Sequence, residues 1–208
     1  HGIVAAQVLI GAGLAFAHKY NGNKNVAITY FGDGAANQGQ VYESYNIAAL
    51  WKLPVIFVIE NNKYGMGTSV NRSSAGDNLS DRGKAYGIVA DIVDGMDVIA
   101  VRDAALKAMD YCRSGKGPYI LEMKTYRYRG HSMSDPAKYR TRDEVDEIRQ
   151  NSDPINNIKS ILDKFGLKDE NLKIIDTEIK SIIANAATFA QESPEPSEAE
   201  LFTDITIN

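Results

Sequence analysis

Short, mostly apolar runs alternate along this chain with longer segments whose apolar residues recur at helical spacing. Four runs, about Val26 to Phe31, Val55 to Ile59 behind Pro54, Ile88 to Val93 and Pro118 to Met123, read as strands, the first two of them buried and parallel. Between them, Ile3 to Tyr20 predicts a helix built from small residues. Gly11, Ala12, Gly13 and Ala15 give it surfaces that suit close approach of another helix. Roughly Gln40 to Trp51 predicts a second helix, with Val41, Tyr45, Ala48 and Ala49 at helical spacing, ended by Leu53-Pro54. A third begins at Asp97 or Arg102, runs to Arg113 and is capped at Ser114-Gly115. The order strand-helix-strand, used twice, predicts an α/β fold: a doubly wound, mostly parallel sheet with helices on both faces. Residues 61–78 form a loop rich in Gly, Ser and Asn, whose length argues for function rather than simple connection, and Asp81 to Tyr86 a short helix. Helices follow at about Thr141–Gln150, Asp153–Phe165 and Asp169–Glu192, then an extended acidic tail. Two domains are therefore expected: an α/β domain over residues 1–140 and a helical C-terminal extension over 141–208.

Composition narrows the function classes. The apolar and charged fractions, 44% and 24% of 208 residues, are those of a globular protein with a real core. A net charge of −4 argues against nucleic-acid binding by bulk electrostatics. The single cysteine, Cys112, rules out an intrachain disulfide and fits a reducing compartment. The longest membrane candidate, Ile3 to Ala17, contains Gln7 and is too short to cross a bilayer. The chain opens on His1 rather than Met and enters a helix almost at once, so part of a longer protein is expected to precede it.

The candidate chemistry lies at the strand ends. Gly32-Asp33-Gly34 closes the first strand and Asn61-Asn62 the second, with one helix between. Ligands of open α/β sheets bind at the carboxyl ends of strands. There Asp33 can give a carboxylate oxygen, Asn62 an amide oxygen and Tyr64 a main-chain carbonyl to Mg²⁺, and a diphosphate can complete the octahedron. Gly34 and Ala35 would offer backbone N–H groups to the phosphates. Either motif alone is as consistent with a tight turn; their joint placement favours the metal-diphosphate reading. Ser114-Gly115-Lys116-Gly117 imitates a P-loop but lacks the upstream glycine and ends a helix, and no complete G-x-G-x-x-G is present. From Lys124 to Arg142, six basic residues and one acid are interleaved with Tyr126, Tyr128 and Tyr139. This loop, expected to be mobile without a phosphate partner, carries His131. The imidazole could donate to a phosphate, with Arg127 and Arg129 adding positive potential, or belong simply to a solvated basic loop.

The segments Gly32 to Gly39, Glu60 to Thr68, His1 to Val4 and Tyr126 to Pro136 together resemble the thiamine-diphosphate-dependent 2-oxoacid dehydrogenases, specifically their E1 α subunits of the pyruvate type. The resemblance extends over essentially the whole chain. It implies a thiamine-diphosphate-binding fold in which Asp33, Asn62 and the Tyr64 carbonyl hold Mg²⁺ and Gly34 and Ala35 contact the diphosphate. Gly2 and Val4 would offer main-chain groups to the aminopyrimidine. His131 would reach the diphosphate and assist transfer to a lipoyl group. It further implies pyruvate as substrate, an E1 β subunit in an α₂β₂ heterotetramer, and the lipoyl domain of an E2 acetyltransferase as partner. The glutamate that activates the cofactor would lie on the β subunit. A branched-chain 2-oxoacid or acetoin dehydrogenase α subunit is the alternative, and an inert assembly subunit a third. Ser132 matches the first phosphorylatable serine of mitochondrial members, whereas Lys138 stands before Tyr139-Arg140 where they carry a second. That favours a bacterial, cytoplasmic enzyme over one of the mitochondrial matrix.

Overall fold

The computed structural model describes residues 2–203. Helix α1 (Ala6–Tyr20) leads into strand β1 (Ala27–Gly32), a 3-10 turn (Ala35–Asn37), helix α2 (Gly39–Leu50) and strand β2 (Val55–Asn61). A small hairpin, β3 (Tyr64–Gly65) and β4 (Thr68–Ser69), precedes a single helical turn, α3 (Val70–Ser73), and a 3-10 segment (Leu79–Tyr86). Then come β5 (Val89–Asp94), α4 (Val98–Arg113), β6 (Tyr119–Lys124), α5 (Arg142–Ser152), α6 (Pro154–Lys164) and α7 (Asp169–Glu192).

The four long strands form one parallel sheet in the order β1-β2-β6-β5. Register pairs Phe31 with Ile59 and Gly32 with Glu60, so the Gly-Asp-Gly and Asn-Asn motifs emerge side by side at one edge. β2 and β6 are central and almost continuously buried, whereas β1 alternates buried and exposed as an edge strand. On one face α1 and α2 bring Val8, Ala12, Ala15, Tyr45 and Ala48 to Phe31, Phe57, Ile59 and Ile120. On the other, Ala108 and Cys112 of α4 pack on Ile56, Val58, Tyr119 and Leu121. Helices thus cover both faces, as the strand-helix order predicts.

Three local features refine the sequence reading. α1 begins at Ala6, not Ile3, because buried Ala5 is left-handed (φ 70°) and a right-handed helix cannot run through it. Its close contact is made to the sheet: a methyl on Gly11 would lie 2.6 Å from Thr29 Cβ, while Gly13 faces open space. α4 starts at Val98, where the Asp97 carboxylate caps Ile99 and Ala100 N–H at 2.9 and 3.1 Å. At its other end Gly115 takes φ 76° and donates to Cys112 O, so the P-loop look-alike is a helix C-cap.

The chain divides into two compact units, His1–Ile158 and Lys159–Asn208. This division falls beyond the 140/141 boundary expected from composition, because α5 is tied to the first unit. Tyr64 and Tyr126 hydroxyls both donate to Glu144, and the Tyr128 hydroxyl to Asp153. The second unit holds α7 and a terminal 3-10 turn (Glu198–Phe202). No helix among the described residues is long and apolar enough to cross a membrane.

Candidate functional site

Asp33 follows the last residue of β1 and is 2% exposed. Its Oδ2 is buried with no hydrogen-bond partner. Burial pushes the carboxyl above the ordinary range, against the opposing pull of its own backbone N–H, the Arg127 guanidinium and the Asn62 N–H. A buried carboxylate with one oxygen unmatched is what a bound cation relieves.

The hairpin after β2 closes over this carboxylate. Gly65 is held so near that a methyl on it would sit 3.2 Å from Gly34 Cα and 3.6 Å from Asp33 Oδ2. Two glycines let the backbones approach. The hairpin owes its shape to left-handed Lys63 (φ 74°) and Met66 (φ 53°). Half-buried Asn62 is placed beside Asp33, and its side-chain oxygen accepts the Tyr64 N–H at 3.3 Å. The Tyr64 carbonyl accepts from Arg127 Nη1 at 2.9 Å, which leaves one lone pair for a second partner. Asp33 is thus met by the Asn62 N–H, and the hairpin that carries Tyr64 closes on its unmatched Oδ2 at Gly65. Among the described residues no group of three or more His, Cys, Asp or Glu side chains could hold a metal ion.

The other expected residues lie around this centre. Gly34 is in the right-handed helical region and Ala35 opens the 3-10 turn. The next α-helix begins only at Gly39, so any phosphate contact by Gly34 and Ala35 comes from this tight turn rather than from α2. Gly2 and Val4 are exposed in the segment just before α1. No hydrogen bond joins them to Asp33 among the described residues. His131 is exposed; its backbone N–H donates to Asp135 at 2.7 Å.

Two arginines anchor the basic loop in this conformation. The Arg127 guanidinium donates to Tyr64 O, Met66 O and the Tyr139 hydroxyl at 2.9, 2.7 and 2.9 Å. Arg140 reaches Arg127 O and Arg129 O while lying within 6 Å of the Tyr64, Tyr126 and Tyr139 rings. Gly130 is required here, because a methyl would meet Asp135 O at 2.4 Å. The interleaving of arginines with tyrosines was the visible sign of this cage. The roles of Tyr139, Arg140 and Glu144 in it are not readable from spacing, since each depends on a partner far along the chain.

Residues 1–199 match the family described as Dehydrogenase E1 component. The chain belongs to that family. This E1 chain is 62% identical over its whole length to the Pyruvate dehydrogenase E1 component subunit alpha of Rhizobium meliloti, covering 60% of that protein. It is 58% identical to the subunit of the same name from Zymomonas mobilis, covering 58% of it. To the mitochondrial somatic form of Bos taurus it is 54% identical, covering 53%. The E1 chain thus spans a little over half the length of these relatives.

Proposed function

We propose that this chain is part of the α subunit of a pyruvate dehydrogenase E1 component, which decarboxylates pyruvate and reductively acetylates the lipoyl group of E2. The observation that carries the reading is the buried, half-unpaired Asp33 under the Gly65 hairpin. The names and identities of the relatives support it. Asp33, Asn62 and the Tyr64 carbonyl would hold Mg²⁺, and the cation would bind the diphosphate of thiamine diphosphate. When bound, that cofactor supplies a nucleophilic carbon and an electron sink for decarboxylation of a 2-oxoacid.

The chain's own residues orient and neutralise. Gly34 and Ala35 present N–H groups to phosphate oxygens, and Gly2 and Val4 present main-chain groups to the aminopyrimidine. Arg127 ties the hairpin to the loop that carries His131, whose imidazole would donate a proton or hydrogen bond to phosphate and to an incoming lipoyl group. The activating glutamate is assigned to an E1 β subunit in an α₂β₂ assembly, so turnover requires both chains. A reducing compartment, the bacterial cytoplasm or the mitochondrial matrix, fits the lone buried cysteine.

The test is reconstitution of the full-length α chain with its β subunit, assayed on pyruvate and on branched 2-oxoacids, beside calorimetry of thiamine diphosphate with Mg²⁺. Preference for pyruvate, and loss of Mg²⁺-dependent binding in Asp33→Ala, are the expected results. Wild-type cofactor affinity in Asp33→Ala would remove the metal assignment, and preference for a branched substrate would move the chain to the related dehydrogenases.

A further inference from the structure

Glu122 stands in the middle of β6, between Ile59 of β2 and Ile92 of β5, and is fully buried. Nothing in the proposed function uses it. Three donors converge on its carboxylate: Asn61 Nδ2 at 2.8 Å, Lys124 Nζ at 2.6 Å and the Ser80 N–H at 2.8 Å. Lys124 also reaches Asp77 O at 3.2 Å, so the carboxylate ties β6 to both ends of the loop that follows β2.

The bond to Asn61 has the widest consequence. With its NH₂ turned to Glu122, the Asn61 amide has its oxygen left to accept the Lys63 N–H, at 3.3 Å. Reversal of the amide would set NH₂ against that N–H. Lys63 is the left-handed residue that starts the hairpin, a conformation that persists only where its surroundings enforce it. The next N–H, that of Tyr64, donates to Asn62 Oδ1 at 3.3 Å. Two side-chain turns thus follow one another, Asn61 on Lys63 and Asn62 on Tyr64; the first is anchored at Glu122, and the backbone carries it into the second, whose Asn62 N–H lies at Asp33.

We propose that Glu122 is a positioning residue of the cation loop: by holding the Asn61 amide in one orientation it locks the turn at Lys63, and so aims the Asn62 side chain and the Tyr64 carbonyl. The inference rests on the cation site of the proposed function. It also explains why a carboxylate occupies a strand core. Glutamine would turn an NH₂ toward one of three donors, and aspartate would fall short of them by about 1.5 Å, one carbon–carbon bond. Burial pushes the Glu122 carboxyl up, but Lys124, the Ser80 N–H and Asn61 together bring it below the ordinary range, so the acceptor is ionised.

Mn²⁺ with thiamine diphosphate is the probe, titrated by electron paramagnetic resonance into the full-length α chain assembled with its β subunit. Glu122→Gln and Asn61→Ala are each expected to weaken Mn²⁺ binding by about tenfold or more, the usual effect of losing a partner that orients a ligand. Kinetically, the apparent Mn²⁺ constant should rise more than kcat at saturating Mn²⁺ falls. A merely structural role would lower the melting temperature and leave the Mn²⁺ affinity of the folded fraction unchanged. Asn61→Ala leaves Glu122 with Ser80 and Lys124, so it decides the matter alone if Glu122→Gln does not assemble. Asp33→Ala is the control. Loss of Mn²⁺ binding there, with wild-type affinity in Asn61→Ala, overturns the role of Glu122 and leaves the cation site standing. Wild-type Mn²⁺ binding in Asp33→Ala overturns the cation site, and this inference with it.

Discussion

Asp33→Asn should stabilise the cofactor-free protein and cripple its cofactor response. The substitution keeps the shape and one oxygen but removes a charge that is 2% exposed and unmatched at Oδ2. A buried polar group without a partner costs about 1–3 kcal/mol, and more when charged, so replacing a charged orphan by a neutral one is worth about 1 kcal/mol. For a chain of this size alone that is a rise of about 2–4 °C in melting temperature, and less in the larger heteromer. The sign of the pH dependence follows from the raised carboxyl. A group whose folded pKa lies above its unfolded value penalises folding fully at pH above the folded value. The penalty disappears as pH falls below the unfolded one. The advantage of Asp33→Asn is therefore complete above the raised folded pKa and vanishes in acid. Cofactor reverses the ranking. At free cofactor a hundredfold above the wild-type Kd, binding stabilises the wild type by about 2.7 kcal/mol, while a variant bound about 100-fold more weakly gains about 0.4 kcal/mol. Melting of the full-length heteromer with and without Mg²⁺ and thiamine diphosphate measures both effects. A cofactor-free Asp33→Asn that melts below the wild type, or one that responds to cofactor as strongly, would refute the reasoning.

The remaining predictions test the packing around this centre. Gly11→Ala drives a methyl to 2.6 Å from Thr29 Cβ, and overpacking of that kind costs about 1–3 kcal/mol, more than the ~1 kcal/mol gained in helix propensity. Gly13→Ala meets nothing and should stabilise by up to ~1 kcal/mol, so urea titrations of the two should move in opposite directions. Gly65→Ala presses on Gly34 Cα and Asp33 Oδ2 and should weaken Mg²⁺-dependent cofactor binding by about tenfold; unchanged calorimetry would mean the hairpin shifts freely. The Cys112 thiol is buried and pushed up to about 12, so a disulfide reagent at pH 8 should label it only as the protein unfolds. Prompt labelling of the native protein would contradict that burial.

Much of the fold was legible because parallel strands buried on both faces leave unbroken apolar runs, and those runs need no knowledge of their neighbours. Val55 to Ile59 is of this kind and Tyr119 to Met123 is too but for Glu122, and they are the two central strands. The strand ends were legible too, since Asp33 and the Asn61-Asn62 pair interrupt hydrophobic stretches where a parallel sheet presents its binding edge. The hairpin inside residues 61–78 was not, because it turns on left-handed Lys63 and Met66, non-glycine residues whose conformation no local propensity announces.

What the sequence by itself determined, then, was the layer order of the α/β unit and the edge at which Asp33 and Asn62 emerge. Only the tertiary structure decided how that edge is assembled. It set Gly65 against Gly34, Arg127 on the Tyr64 carbonyl, and Asn61 on Glu122. It also placed Gly11, not Gly13, in the close contact of α1. The physical reason is range. Burial periodicity is written in neighbours two to four positions apart, whereas each of these contacts joins residues separated by the path of a loop. Their geometry exists only once the sheet has fixed both ends of that loop.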